Sequence, residues 1–168
     1  MVEIGKPVDN FKLPATGGKD VSLSDFNGKK VLLYFYPKDN TPGCTTESVA
    51  FANAHGILTE GNVVVLGVSR DSVKSHESFK NKFSMPFDLL SDSEETLCNM
   101  FNVIQEKNMY GRKIMGVVRS TFLIDEAGTL EKEWRNVKAG VHCAEVLAHL
   151  GLSSEGVDLE ACRVPNAG

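Results

Sequence analysis

The stretch Tyr34-Phe35-Tyr36-Pro37-Lys38-Asp39-Asn40-Thr41-Pro42-Gly43-Cys44-Thr45-Thr46-Glu47 constrains this chain more than any other. The apolar run Val31–Tyr36 shows no alternation, the pattern of a strand covered on both faces. It ends in a Pro-containing turn that also opens a helix. Thr41 suits the N-cap, where its hydroxyl can accept a hydrogen bond from a free first-turn amide. Pro42 follows at the first helical position, where its missing N–H costs nothing. Cys44 then falls in the first turn, where unpaired amides and the positive end of the helix dipole favour a thiolate. Free cysteine has a pKa of about 8.5, and sites of this kind lower it to about 3.5–7.5. The stretch predicts a reactive thiol. The competing reading is a buried, inert cysteine at a strand–helix junction.

The flanking sequence supplies the rest of an α/β unit. Phe11–Leu13 and Val21–Leu23 surround Ala15-Thr16-Gly17-Gly18-Lys19 and read as an N-terminal β-hairpin, followed by a helical turn over Ser24–Gly28. After Cys44, Ala50, Ala54, Ile57 and Leu58 form a helical stripe, and Val63–Val68 is a second buried strand. Asp71 or Ser72 caps a helix that carries Val73, Phe79 and Phe83 and stops before Pro86. Phe87–Leu90 is a short strand. Asp92 with Glu95 resembles a capping box ahead of Leu97, Cys98 and Phe101. Gln105 to Gly116 reads as an exposed excursion, Ser120–Asp125 and Leu130–Asn136 as a hairpin, and His142–Leu150 as the last helix. The expected architecture is one α/β domain over residues 1–151 with a mixed central β-sheet flanked by helices. Residues 152–168 have no clear period and read as a tail.

Composition narrows the function. The 168 residues are 42% hydrophobic with a net charge of −4, and no basic cluster carries aromatic platforms, so nucleic acid is not an expected partner. The apolar runs are too short to span a bilayer, and the N-terminus lacks the apolar core of a signal peptide. Four cysteines without regular spacing suggest a reducing, cytoplasmic setting rather than a disulfide framework. His142, Cys143 and His149 make no metal-ligand spacing, and Gly111 to Gly116 holds no nucleotide-binding pattern, so no metal or cofactor is expected.

Pro37, Thr41 and Cys44 fit P-x-x-x-T-x-x-C, a pattern that resembles the active-site signature of peroxiredoxins. The run Tyr36 to Glu47 resembles the bacterioferritin-comigratory, or peroxiredoxin Q, subgroup. So do Gly67-Val68-Ser69-Arg70-Asp71-Ser72, Leu89-Leu90-Ser91-Asp92 and Arg119-Ser120-Thr121-Phe122-Leu123-Ile124-Asp125, in the family's order from about Gly5 to Leu150. The resemblance implies a thioredoxin-like fold and a thiol-dependent peroxidase of the thioredoxin-dependent type, acting on hydrogen peroxide and organic hydroperoxides. Cys44 matches the peroxidatic cysteine, Thr41 the hydroxyl that holds the peroxide, and Arg119 the active-site arginine. Pro37 belongs to the same signature, and Gly43 and Glu47 are supporting positions.

These residue types suit the chemistry. A thiolate at Cys44 would attack one peroxide oxygen while helix-start amides stabilise the developing anion. The Thr41 hydroxyl can donate and accept, and Arg119 stays charged at any working pH. The product is a sulfenic acid. The simpler readings are an N-cap for Thr41 and a surface ion pair for Arg119.

The sulfenic acid must then be resolved. The subgroup's two common resolving positions correspond to Val49 and Lys80, so both are empty. Cys98 is the remaining candidate, with a buried structural role as its default; Cys143 has a similar status and Cys162 lies in the tail. The expected reductant is an external thiol, from thioredoxin, a glutaredoxin or glutathione, acting on a monomer or weak homodimer. A thioredoxin-type oxidoreductase is disfavoured because the residue three after Cys44 is Glu47 and not cysteine. A peroxide sensor using the same thiol is the alternative function.

Overall fold

The computed structural model describes residues 2–152, without the side chains of residues 107 and 109. Its centre is β3 (Lys30–Phe35), whose residues alternate between two buried layers. Val31, Leu33 and Phe35 enter one layer; Leu32, Tyr34 and Tyr36 enter the other. Burial on both faces explains the unbroken apolar run, since each such side chain contributes roughly 1.5–3 kcal/mol on leaving water.

Around β3 runs a seven-stranded mixed sheet whose strands lie in the order Lys19–Ser22, Lys12–Ala15, Asp88–Ser91, Val63–Ser69, Lys30–Phe35, Ser120–Ile124 and Leu130–Trp134. β1 (Lys12–Ala15) and β2 (Lys19–Ser22) form the expected N-terminal hairpin, and β1 joins the sheet through Ala15 opposite Leu90. β4 (Val63–Ser69) and β5 (Asp88–Ser91) extend β3 in parallel. β8 (Ser120–Ile124) and β9 (Leu130–Trp134) extend it antiparallel on the other side. In β4, a Cβ at Gly67 would stand 2.7 Å from Leu89 and 2.8 Å from the Tyr34 hydroxyl. Glycine there lets the Tyr34 ring lie against the strand.

Helices α1 (Pro42–Glu60), α2 (Val73–Phe83) and α4 (His142–Leu150) contribute Phe51, Phe79 and Val146 to the layer that holds Tyr34. The other layer takes in α3 (Thr96–Met100) and the N-terminal segment, through Leu97, Cys98, Phe101, Val8 and Phe11. Among the described residues no helix is long and apolar enough to cross a membrane.

One local expectation is refined and another is corrected. The segment read as an exposed excursion is a two-stranded ribbon, β6 (Ile104–Met109) against β7 (Arg112–Val117). Tyr110 and Gly111 close it with φ of 53° and 78°, the positive pair of a tight hairpin turn. It stands away from the sheet on a buried base of Val103 and Val117, with Tyr110 at its tip fully exposed. Asp92 and Glu95 do not form a capping box. The Asp92 carboxylate takes the N–H groups of Leu97 and Cys98 at 3.0 and 2.7 Å. Glu95 itself is left-handed, at φ 61°, and its side chain turns to Arg70. Ser72, not Asp71, caps α2, accepting from the Ser75 N–H at 3.1 Å.

The other helices match their signals. α1 ends at Gly61, as the Gly61-Asn62 stop requires, and α4 spans the expected residues. Leu152, assigned to the tail, has its N–H on the Leu147 carbonyl at 3.0 Å and packs on Gly61. Residues 153–168, with Cys162, lie outside the described residues.

Candidate active site

The site forms where β3 ends and α1 begins. Tyr36 leaves the sheet with its N–H on Val68, and Pro37 to Thr41 turn the chain into the helix. Pro42 takes the first helical position, so Cys44 is the third residue of α1. The N–H groups of Gly43 and Cys44 thus fall in the turn where the helix supplies no acceptor. Cys44 is buried at 0% exposure, with its sulfur inside the protein rather than on the surface.

β8 brings the cation. Ser120 pairs with Phe35 at the end of β3, which places Arg119 beside the Tyr36–Pro37 exit. The Arg119 carbonyl is held by the Val137 N–H at 3.0 Å. Its guanidinium forks: Nη1 donates to Glu47 Oε1 at 3.0 Å and Nη2 to Cys44 Sγ at 3.4 Å. Glu47 sits three residues on from Cys44, on the same side of α1. Gly43 makes room for the fork, because a Cβ there would stand 3.0 Å from Nη2.

The electrostatics follow from burial. Glu47 is fully buried, and loss of solvent pushes its carboxyl up to about 7, against the pull of Arg119. Its Oε2 has no hydrogen-bond partner among the described residues. Burial alone would pull Arg119 down, but the neighbouring Glu47 and Cys44 outweigh it and raise it further, so it is always a cation. Beyond Arg119, a cavity of about 770 Å³ is lined by Pro37, Val103, Val118, Arg119 and Arg135. Cys44 is not among the lining residues and is reached through Arg119.

Thr41 departs from expectation. It is the N-cap, with extended backbone, but its hydroxyl does not cap the helix. Oγ1 instead donates to the Lys38 carbonyl at 2.8 Å, which leaves its lone pairs to accept. Pro37 and Arg119 thus line one cavity, Arg119 reaches the Cys44 sulfur, and Thr41 heads the same helix three residues before Cys44.

Cys98 does not join them. It belongs to the layer with Leu33 and Phe35, across the sheet from Cys44, which belongs to the layer with Tyr34. Burial, then the Asp92 carboxylate, drives its thiol well above the ordinary range, so it is a poor thiolate. Cys143 shares the Cys44 layer and is buried on α4.

The chain matches the AhpC/TSA family over residues 4–133. It is a peroxiredoxin. Peroxiredoxin Bcp of Bacillus subtilis is 47% identical over 154 residues, 92% of this chain and 98% of the relative. A crystal structure of a Xylella fastidiosa PrxQ variant superposes with a TM-score of 0.86 at 44% identity, covering 90% of this chain and 96% of that one. The Xanthomonas campestris bacterioferritin comigratory protein gives a TM-score of 0.80 at 45% identity, over 84% and 90%. This peroxiredoxin has the thioredoxin-like fold of those structures and is a thiol-dependent peroxidase of the Bcp group.

Residue-by-residue reading missed two polar groups in this peroxiredoxin. His142 is buried, with Nε2 2.6 Å from Thr121 Oγ1 and its ring edge-on to Phe51 and Trp134. Burial holds its pKa down to about 4, although Glu145, 3.5 Å from Nδ1, pulls the other way. Its place on a helix of ordinary amphipathic pattern carried no signal. The second group, around Asp39 and His76, lies behind the active-site loop.

Proposed function

We propose that Cys44 is the peroxidatic nucleophile and that Arg119, Thr41 and Pro37 complete its site. The observation that carries this reading is the Arg119 fork, 3.4 Å from the Cys44 sulfur and 3.0 Å from Glu47. A guanidinium facing a sulfur at a helix start favours the thiolate and polarises a peroxide bound beside them. The sulfur attacks the nearer oxygen, the S–O bond forms as the O–O bond breaks, and the departing oxygen leaves as hydroxide or alkoxide and takes up a proton. Sulfur is oxidised by two electrons to a sulfenic acid, and the peroxide is reduced to water or an alcohol. Helix-start amides and Arg119 stabilise the charge on the departing oxygen.

The reductant is an external thiol. One thiol attacks the Cys44 sulfenic acid and releases water; a second frees Cys44 from the mixed disulfide. The position aligned with the subgroup's resolving cysteine in α2 is Lys80, which is bonded to Asp88 at 3.1 Å. Cys98 lies across the sheet, and a disulfide needs Cα atoms within about 7 Å. Thioredoxin, a glutaredoxin or glutathione would serve. Hydrogen peroxide and organic hydroperoxides are the substrate class; the Xanthomonas relative is described through its alkyl peroxide reduction. Of the exposed large apolar side chains among the described residues, Tyr110, Ile114 and Met115 lie on the β6–β7 ribbon and Ile4 and Val141 stand apart; so small an apolar surface favours a monomer or weak homodimer.

The test is intact mass after one equivalent of hydrogen peroxide on reduced protein, beside Cys44→Ser. A gain of one oxygen that disappears in the variant supports the reading. A loss of two hydrogens means an internal resolving cysteine. Equal behaviour of both proteins removes Cys44 as the nucleophile.

A further inference from the structure

Behind the Pro37–Thr41 loop lies a buried polar cluster that takes no direct part in the chemistry above. Asp39 is at its centre, and its side chain and that of His76 are almost wholly buried. Asp39 Oδ1 accepts from the Tyr36 hydroxyl at 2.6 Å, and Oδ2 accepts from Ser75 Oγ at 2.8 Å. His76 Nδ1 stands 2.7 Å from the same Oδ2. His76 Nε2 lies 2.9 Å from the Leu90 carbonyl, which can only accept, so Nε2 carries a hydrogen. The Asp39 carboxylate thus takes one hydroxyl from Tyr36, just past β3, and one from Ser75 on α2.

The neighbouring Asp71 acts on the backbone. Its Oδ2 accepts from Ser69 Oγ at 2.5 Å and from the Asp39 N–H at 2.9 Å. That N–H and the Lys38 carbonyl belong to one peptide group. The Lys38 carbonyl is the acceptor of the Thr41 hydroxyl at 2.8 Å. One peptide plane is therefore held by Asp71 at its N–H edge and by Thr41 at its C=O edge. The next residue, Asn40, is left-handed at φ 62°, so the turn between them has little freedom to readjust.

We propose that Asp71 and the Asp39–His76 pair are positioning residues for the peroxidase reaction, acting through the Lys38–Asp39 peptide on the Thr41 hydroxyl. With the peptide fixed, the Thr41 hydrogen points to Lys38 and its lone pairs face outward to receive the peroxide O–H. Rotation of that plane would turn the lone pairs away, and a misplacement of about 1 Å can cost a hundredfold in rate. The ligand-type atoms of Asp39, Asp71 and His76 lie within 4.8 Å of one another, a spacing a metal ion could use. Those atoms are already engaged with Tyr36, Ser75, Ser69, each other and two backbone groups, as an internal clamp requires.

This inference rests on the role given to Thr41, so the experiment separates the two. It is a double-mutant cycle of Asp71→Ala and Thr41→Val on the full chain, reading Cys44 oxidation by hydrogen peroxide and Cys44 alkylation by iodoacetamide. Asp71→Ala should slow oxidation about tenfold to hundredfold and leave alkylation within about twofold, since iodoacetamide does not use Thr41. In the Thr41→Val background it should cost nothing more. Asp71→Asn, which keeps an acceptor for the Asp39 N–H, should recover most of the rate. Additive losses, or parallel slowing of oxidation and alkylation, overturn the inference while the Thr41 role stands. A Thr41→Val protein that oxidises at the wild-type rate overturns both. If Asp71→Ala does not fold, Tyr36→Phe removes one donor to Asp39 and keeps the ring; it must show a peroxide-specific loss that vanishes in Thr41→Val, or the inference fails.

Discussion

Arg119 Nη2 stands 3.4 Å from the Cys44 sulfur, although 75 residues separate the two in the chain. The contact exists because β8 pairs with β3 in a register that sets Ser120 opposite Phe35. One side of the fork binds sulfur and the other binds a buried carboxylate, so geometry and charge at Cys44 depend on the same side chain.

Arg119→Lys should lower the rate of Cys44 oxidation by about 10²–10³, the cost of removing one preorganised donor in a buried site. Lysine cannot hold Glu47 and the sulfur at once. Stopped-flow oxidation with hydrogen peroxide measures this. Arg119→Ala should also destabilise the fold by about 1–3 kcal/mol at neutral pH, read by denaturant unfolding, because Glu47 then takes up a proton and is left as a buried carboxyl without its partner.

Gly43→Ala separates activity from stability. The added Cβ would meet Nη2 at 3.0 Å, so the guanidinium must shift. Alanine is the better helix former. The expected result is an unchanged or raised Tm with peroxide oxidation slowed about tenfold; unimpaired oxidation would show that the fork tolerates displacement.

Glu47 gives a pH signature. Its carboxyl titrates near 7 in the folded protein, against an ordinary value of 4.5, because burial penalises the charge. The folded state binds the extra proton, so this residue's contribution is complete below about pH 4.5 and is lost as pH climbs to about 7. Glu47→Gln carries no such dependence. Its stability relative to wild type should improve by on the order of 3 kcal/mol between pH 4 and pH 8, most of it before pH 7. Urea unfolding at stepped pH measures the difference, and a flat one would refute the burial argument.

His142 gives the opposite sign. Burial holds its imidazole down to about 4, below the ordinary 6.5. Its contribution is present above about pH 6.5 and is lost as pH falls through 4. His142→Gln should therefore be less acid-sensitive than wild type over that window, as followed by thermal melts.

Cys98→Ser should leave turnover with an external thiol unchanged and preserve the mass gain of one oxygen at Cys44. Loss of turnover would place Cys98 in the cycle despite its position across the sheet.

The strand, the Pro42 helix start and the position of Cys44 were legible because each rests on local pattern: an apolar run, a cap residue and a proline at the first helical position. The same reasoning oriented the Thr41 hydroxyl wrongly. A cap hydroxyl can instead donate to the Lys38 carbonyl, and the choice depends on a turn that Asp71 holds from 32 residues away. The β6–β7 ribbon was missed because its strands bury only their base, so no alternation marks them.

Local order along the chain was enough to mark a cysteine at a helix start and a threonine three before it; Arg119 was marked only by the resemblance to the family's arginine, since on local pattern it read as a surface ion-pair partner. Pairing register and burial decided what they do together. Only the sheet brings Arg119 to Cys44, sends Cys98 to the opposite layer and encloses Glu47 so that it titrates near neutrality. The reason is physical: helix starts and caps arise from contacts a few residues apart, whereas desolvation and charge pairing depend on segments that only the folded core brings into contact.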